Sequence, residues 1–271
     1  MTLDPLSDVR YEVEDGLCWV TIDRPQRLNS FTAHTVDELI ACFKQAWADA
    51  QVGVVALTGA GEKAFCTGGD QKQRAQSGDY GPSRSGLFEI ETLHRTIRDI
   101  PKPVIAAVNG LAIGGGHVLH VICDLSIAAE HARFGQAGPR VGSFDAGFGT
   151  GYLARVVGEK RAREIWFLCR QYDASEAERW GLVNRVVGAA ELRAEVRRFA
   201  DEILALSPTA LRFLKQSFNQ ESEHLAGQAA LAFSGLHEFA ASEEAAEGLR
   251  AFEQKRAPDF ASFRAHTSQP I

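Results

Sequence analysis

The amino-acid sequence predicts an α/β fold whose last third is entirely helical. Apolar segments rich in β-branched residues at 17–23, 54–58 and 103–108 indicate short buried strands. Between the first two, residues 36–50 carry apolar side chains at helical spacing. Strands and helices that alternate in this way are typical of right-handed crossovers in a layered α/β fold.

The remaining elements follow in chain order. Residues 117–123 indicate a helix, and residues 125–128 indicate the next short strand. Helical patterns then fill the last third of the chain, at 158–168, 175–180, 190–205, 209–219 and 222–252. We therefore predict an α/β core over residues 1–200 and a helical region over residues 201–271. Residues 76–85 contain glycine, proline and serine without an apolar face, which predicts either a lid or an ordinary surface loop.

Composition excludes several classes of protein. The 271 residues include 29 Lys and Arg against 35 Asp and Glu, and this net charge of −6 disfavours nucleic acid as a partner. The most apolar stretch, 103–129, is interrupted by polar residues, so no membrane helix is expected. The five cysteines are scattered and form no metal-binding pattern. We expect free thiols, no metal and a cytoplasmic protein.

Two glycine-rich segments stand out, AFCTGGD at 64–70 and GLAIGGGHV at 110–118. Glycines that open a helix expose backbone N–H groups at the positive end of the helix dipole. Such groups can hold an anion or a developing oxyanion. Alternatively, the glycines serve only tight turns and close packing. Neither nucleotide-binding glycine pattern is present.

Taken with the interval between them, these segments resemble the crotonase (enoyl-CoA hydratase/isomerase) superfamily from about residue 11 to residue 260. The segments that carry the resemblance are DRPQRLNSF (23–31), AFCTGGD (64–70), KPVIAAVNGLAIGGGHVL (102–119), CDLSIA (123–128) and FGQAGPRVGSF (134–144). The resemblance implies a crotonase-like spiral of ββα turns followed by a helical C-terminal region. It also implies an acyl-CoA thioester substrate, and a homotrimer or a hexamer formed by two trimers. The helix predicted over 222–252 carries more apolar side chains than a lone helical tail can cover, which also predicts a subunit interface; they are Leu225, Ala229, Leu231, Phe233, Leu236 and Phe239.

By the same resemblance, the backbone N–H groups of Gly69 and Gly115 form an oxyanion hole for the thioester oxygen. Hydratases of the superfamily position and activate water with two glutamates. The matching positions here are Val118 and Gly138, neither of which can transfer a proton. Simple enoyl-CoA hydration is therefore disfavoured.

Residues 134–155, 156–184 and 247–260 resemble one branch, that of 1,4-dihydroxy-2-naphthoyl-CoA synthase and 2-ketocyclohexanecarboxyl-CoA hydrolase. Both enzymes make or break a C–C bond β to a CoA thioester through an enolate. The short loop after residue 71 resembles the hydrolase more, whereas GGDQKQR (68–74) resembles the synthase more. We favour ring-opening hydrolysis. The alternatives are Claisen ring closure of o-succinylbenzoyl-CoA, another activity of the superfamily, or a non-catalytic acyl-CoA-binding protein.

Within this branch the resemblance assigns the polar chemistry to Asp145 and Ser143. Asp145 would move the proton or orient water, and Ser143 would bind the second oxo group of the substrate. Tyr80 matches a tyrosine that the synthases carry in the same loop. The branch's C-terminal tyrosine is missing, because Ala240 stands at its position. Tyr80, His237 or a water molecule would have to replace it.

Two binding sites complete the expectations from the resemblance. Gly138 resembles the glycine of those synthases that use a bicarbonate ion as a base, and no other cofactor is expected to bind tightly. Phe252 and Lys255 would reach the coenzyme A from an adjacent subunit. The other residues expected along the coenzyme A are Arg27, Ser30, Cys66, Thr67, Asp70, Gln71 and Lys72.

Overall fold

The computed structural model describes residues 3–268, which form two β-sheets wrapped by helices. The strands are β1 (Val9–Glu14), β2 (Leu17–Ile22), β3 (Val54–Gly59), β4 (Ala64–Cys66), β5 (Val104–Val108), β6 (Leu111–Ile113), β7 (Leu125–Ala129), β8 (Arg133–Gly135), β9 (Gln171–Asp173) and β10 (Arg185–Val187). The helices are α1 (Ala33–Ala48), α2 (Gln71–Ser77), α3 (Ile90–Asp99), α4 (Gly115–Ile122), α5 (Gly151–Val157), α6 (Glu159–Leu168), α7 (Ala174–Arg179), α8 (Leu192–Leu204), α9 (Pro208–Gln220), α10 (His224–Ala240) and α11 (Glu243–Glu253).

The topology is the predicted spiral. The larger sheet has the strand order β1-β2-β3-β5-β7-β10, and all its neighbours are parallel except β1 and β2. The smaller sheet has the order β4-β6-β8-β9, with only β9 antiparallel. A strand of the larger sheet is thus followed by a strand of the smaller sheet and then by helix, as in β5-β6-α4. This arrangement confirms the predicted fold.

The larger sheet is covered on both faces, which explains why β2, β3 and β5 are apolar without alternation. Helices α1, α3 and α4 pack on one face with the main core. On the other face, Leu192 and Val196 of α8 pack against Trp19 and Ile105. The predicted division after residue 200 falls within α8, so the helices beyond the sheet begin with α9.

The C-terminal helices fold back onto their own chain. The helix predicted over 222–252 is divided into α10 and α11 because Ser242 caps the second helix, its hydroxyl accepting from the Ala245 N–H at 3.1 Å. Ala229 of α10 lies directly against Gly147, and α11 packs on α2.

This packing corrects the argument for oligomer formation from the apolar residues of 222–252. Leu225 and Ala229 are buried within the chain, and Phe239 packs on Phe144 at 5.7 Å between ring centroids. Of the residues on which that argument rested, only Leu231, at 76 %, is largely exposed. The oligomer itself stays a prediction.

Candidate active site

A cavity of about 440 Å³ lies where the β4–α2 loop, the start of α4, the turn around residues 136–145 and α10 meet. Its walls include all the residues expected to act on the substrate, namely Gly69, Tyr80, Gly115, Ser143 and Asp145. These residues come from four separate segments of the chain. The fold therefore brings together the predicted site, although the role of each residue stays a prediction.

The two glycine segments meet at the cavity floor. Gly68 has a left-handed φ of +83°, and a methyl group on it would lie 2.9 Å from the Gly115 nitrogen. Gly116 has no room for a side chain, because its Cα approaches the backbone of β4. Within residues 3–268, neither Gly69 nor Gly115 donates its backbone N–H to another protein group. Two N–H donors at one end of a cavity can bind an oxyanion.

The ring of Tyr80 lies against the Cα of Gly69 and packs on Phe88, with 4.6 Å between ring centroids. The loop that carries Tyr80 is attached to α1 at two points. The Ala33 N–H donates to the Tyr80 carbonyl at 2.8 Å, and the Arg84 N–H donates to the Asp37 carboxylate at 2.6 Å. Tyr80 is thus already at the cavity with its loop docked.

Asp145 carries a buried carboxyl group in the turn between β8 and α5. Its Oδ1 is buried and has no hydrogen-bond partner among the described residues. Burial raises the pKa of Asp145 from 3.8 to about 7. The Gly149 N–H, which lies close to the carboxyl group without forming a hydrogen bond of normal geometry, opposes part of this rise. A carboxyl group with this pKa can both accept and return a proton near neutral pH.

A longer side chain would meet neighbouring atoms at both positions that match the missing glutamates. Val118 is fully buried in the core. A methyl group on Gly138 would lie 2.7 Å from the Ser143 carbonyl oxygen and 3.2 Å from the Trp166 ring. An anion there would face a carbonyl oxygen, and the indole N–H already donates to the Gly149 carbonyl at 2.6 Å. The Cβ direction of Gly138 is therefore blocked, but Gly138 also lines the cavity, and the bicarbonate site stays a prediction.

Most of the residues expected along the coenzyme A line the cavity, and Arg27 and Lys72 supply positive charge. Asp70 has a structural task, because its side chain accepts from the first N–H groups of α2 and pairs with Arg24 at 3.2 Å. Because carboxylates and phosphates are both anions, Asp70 would not bind the phosphate groups of the coenzyme A directly. The lining residues of this set are Arg27, Ser30, Thr67, Asp70, Gln71, Lys72 and Phe252.

Two expectations on the coenzyme A site need correction. Cys66 lies beneath the cavity, fully buried, and its Sγ accepts from the Gly68 N–H at 3.4 Å. Phe252 lines the cavity of its own chain, because α11 folds back over α2. Lys255 is exposed beyond α11 and does not line the cavity of its own chain, so its contact with the coenzyme A of an adjacent subunit stays a prediction.

Sequence reasoning missed most of the apolar wall. Phe88, Phe144 and Trp166 form it with Phe233 and Leu236 of α10. The spacing of Phe233 and Leu236 showed one apolar face of a helix, but that face was assigned to a subunit interface. His237 and Ala240 of the same helix are not among the lining residues that the structure describes.

A model of the enoyl-CoA hydratase/isomerase family matches residues 12–263. The chain belongs to this family. An enoyl-CoA hydratase from Mycobacterium avium subsp. paratuberculosis K-10 is 31 % identical, with a TM-score of 0.83, over 95 % of this chain and 100 % of that one. An enoyl-CoA hydratase from Bacillus anthracis is 33 % identical, with a TM-score of 0.72, over 93 % and 98 %.

A carnitinyl-CoA hydratase from Mycobacterium avium is also similar, at 29 % identity and a TM-score of 0.82, over 95 % of this family member and 100 % of that chain. These three relatives are named for hydration, which differs from the C–C bond chemistry expected from the sequence. Within residues 3–268, no helix of this family member is long and apolar enough to cross a membrane.

Proposed function

We propose that this member of the family hydrolyses a cyclic 2-oxo-carboxyl-CoA thioester with opening of the ring, as a 2-ketocyclohexanecarboxyl-CoA hydrolase does. One observation carries the proposal. Among the cavity-lining residues of the described chain, only Asp70 and Asp145 have carboxyl groups, and Asp70 is paired with Arg24. One unpaired carboxyl group is left to act as a base.

A single carboxyl group suits ring opening better than hydration. Hydratases of this kind use two glutamates, and here Val118 is buried while Gly138 packs on Ser143 and Trp166. Ring opening needs one base, which takes a proton from water and later returns it to carbon. The Asp145 pKa of about 7 suits both steps.

The proposed reaction needs only water and the groups that line the cavity. Asp145 takes a proton from water, and the hydroxide oxygen bonds to the ring carbonyl carbon. The bond from that carbon to the thioester α-carbon then breaks, and its electron pair moves into the thioester as an enolate. Proton return from Asp145 to the α-carbon gives an open-chain acyl-CoA with a distal carboxyl group.

Enolate formation is the step that the N–H groups of Gly69 and Gly115 would favour. Both would donate to the thioester oxygen, whose negative charge develops only as the C–C bond breaks. Loss of one such donor typically lowers the rate by about 10²–10³-fold. Ser143, on the same wall as Asp145, would donate to the ring oxo group.

Ring closure of o-succinylbenzoyl-CoA is the second candidate, because it passes through the same kind of enolate. Two observations favour it. Tyr80, which matches a synthase tyrosine, lies against Gly69, and Lys72 lines the cavity. The missing tyrosine at Ala240 disfavours both members of the branch equally.

The test compares three substrates under one set of conditions. 2-Oxocyclohexanecarboxyl-CoA is followed by loss of its enolate absorbance, and o-succinylbenzoyl-CoA and crotonyl-CoA are followed by product chromatography. Turnover of the first with the highest kcat/KM would support the proposal. Preferential hydration of crotonyl-CoA would overturn it, and ring closure of o-succinylbenzoyl-CoA would replace it with the second candidate.

We also propose that the chain assembles into a homotrimer or hexamer. Support comes from α9, whose Phe213, Leu214 and Phe218 are exposed along one side of the helix. Exposed apolar patches of this kind mark subunit interfaces. Because Phe252 lines the cavity of its own chain, the neighbouring subunit need not supply it.

A further inference from the structure

Helix α3 carries a line of residues that leads from the cavity into the interior. Ile90, His94 and Arg98 follow one another at intervals of four, so they lie on one face of the helix. Ile90 lines the cavity. His94 and Arg98 are only 1 % and 3 % exposed.

His94 has no hydrogen-bond partner for either ring nitrogen within residues 3–268. Its ring is 6.1 Å from the ring of Phe233 and 6.3 Å from the ring of Phe148, measured between centroids. Burial lowers the pKa of His94 to about 4, so the imidazole is neutral near pH 7. A neutral imidazole has one N–H donor to offer.

Arg98 is a buried cation that no carboxylate contacts within the described residues, although the charge of the neighbouring Asp99 acts on it. Its guanidinium lies over the rings of Phe148 and Tyr152, at 4.8 and 4.7 Å from their centroids. Nη2 donates to the Ser222 hydroxyl at 2.7 Å, whereas Nη1 is buried and has no partner in the described chain. No ion pair of the described residues includes Arg98. Such a charge is costly to bury unless an acceptor reaches it.

His94 lies directly behind one wall of the cavity, and Arg98 lies about one helical turn further along α3. Phe233, whose ring faces His94, is itself a cavity wall. Phe148, which contacts Arg98, follows Asp145 by three residues in the same turn. Phe233 is partly buried on α10, and rotation of its ring away from His94 would expose that imidazole to the cavity.

We propose that His94 and Arg98 form a receptor for the distal carboxylate of the acyl group. This inference rests on the proposed function and deepens it, because ring opening creates such a carboxylate beside Asp145. The new carboxylate and the carboxylate of Asp145 carry like charges and repel each other, whereas Arg98 offers the new carboxylate a cationic partner. The ligand class is therefore a coenzyme A thioester of a dicarboxylic acid.

The experiment measures binding rather than turnover. Dissociation constants of heptanedioyl-CoA, the product of opening a six-membered ring, and of heptanoyl-CoA are measured by calorimetry. We expect the parent to bind the dicarboxylic thioester about 10- to 100-fold more tightly, as for hydrogen bonds to charged groups. Arg98→Met should abolish the preference, and His94→Phe should reduce it, while heptanoyl-CoA binding stays unchanged.

Arg95→Met is the matched control, because Arg95 is exposed on the same helix. It should keep the preference. If Arg98→Met does not fold, Arg98→Lys and His94→Phe carry the test. Equal affinity of the parent for the two thioesters would overturn the inference, and so would a preference that survives in the folded variants. A failure of ring-opening activity alone would leave this binding result standing, so the two failures are distinguishable.

Discussion

The substitution Asp145→Asn removes the one unpaired carboxyl group of the cavity while nearly preserving its shape. Loss of a general base typically lowers the rate by about 10²–10⁴-fold, and no other lining carboxyl group can replace it. We therefore expect the variant to bind coenzyme A thioesters as the parent does and to lose turnover. In the parent, kcat/KM should rise with pH through about 7, because the ionised form of Asp145 is the base.

The same carboxyl group should also make stability depend on pH. Raising its pKa from 3.8 to about 7 on folding corresponds to about 4 kcal/mol, at 1.36 kcal/mol per tenfold change in proton affinity. Below pH 4 the group is protonated in both states and has no effect. Between pH 4 and pH 7 only the unfolded state ionises, so stability falls as pH rises. Above pH 7 the destabilisation stays constant.

Two assays check these expectations. Turnover of 2-oxocyclohexanecarboxyl-CoA is followed by loss of enolate absorbance, and the unfolding free energy is measured with denaturant at pH 5 and pH 8. The variant should gain stability relative to the parent at pH 8 compared with pH 5. Glu12→Gln, at an exposed position of β1 whose carboxylate forms no ion pair among the described residues, is the control and should change neither quantity. Full activity of Asp145→Asn would remove Asp145 from the mechanism, and a stability difference independent of pH would refute its raised pKa.

Three other substitutions test separate features of the structure. Tyr80→Phe should lower turnover by about 10²–10³-fold, since its hydroxyl lies beside Gly69, and unchanged steady-state kinetics would reduce Tyr80 to a packing role. Gly138→Glu should lower the melting temperature and give no hydration of crotonyl-CoA, because Ser143 and Trp166 occupy the space; hydration by a stable variant would contradict this packing. Phe218→Asp should dissociate the oligomer in light scattering, because Phe218 is 78 % exposed on α9, and an unchanged mass would exclude this surface as the interface.

Strands β2, β3, β5 and β7 and most helices could be read from the sequence because their signals are local. The outer strands β1 and β10 were missed, and so was the whole smaller sheet, whose strands have only three residues each. The apolar runs of β2, β3 and β5 reflect a sheet buried on both faces, and the spacing in α1 reflects its packing on that sheet. The division of 222–252 was missed because Ser242 caps a helix with a single hydrogen bond. Such a signal is easily hidden inside an otherwise continuous helical pattern.

For the candidate site, too, the sequence predicted some features and only the tertiary structure decided others. Residue identity determined that Gly69, Gly115 and Asp145 were candidates and that neither Val118 nor Gly138 could act as an acid or base. Only the tertiary structure decided that Oδ1 of Asp145 is buried without a hydrogen-bond partner in the part of the chain that the structure describes.

The tertiary structure also decided that Ser143 and Trp166 fill the space that a side chain at Gly138 would need. It placed Phe233 and Phe252 at the cavity of their own chain. The reason is physical. Chemistry and helical periodicity belong to each residue and its neighbours, whereas burial and packing partners are set by contacts between segments far apart in the chain.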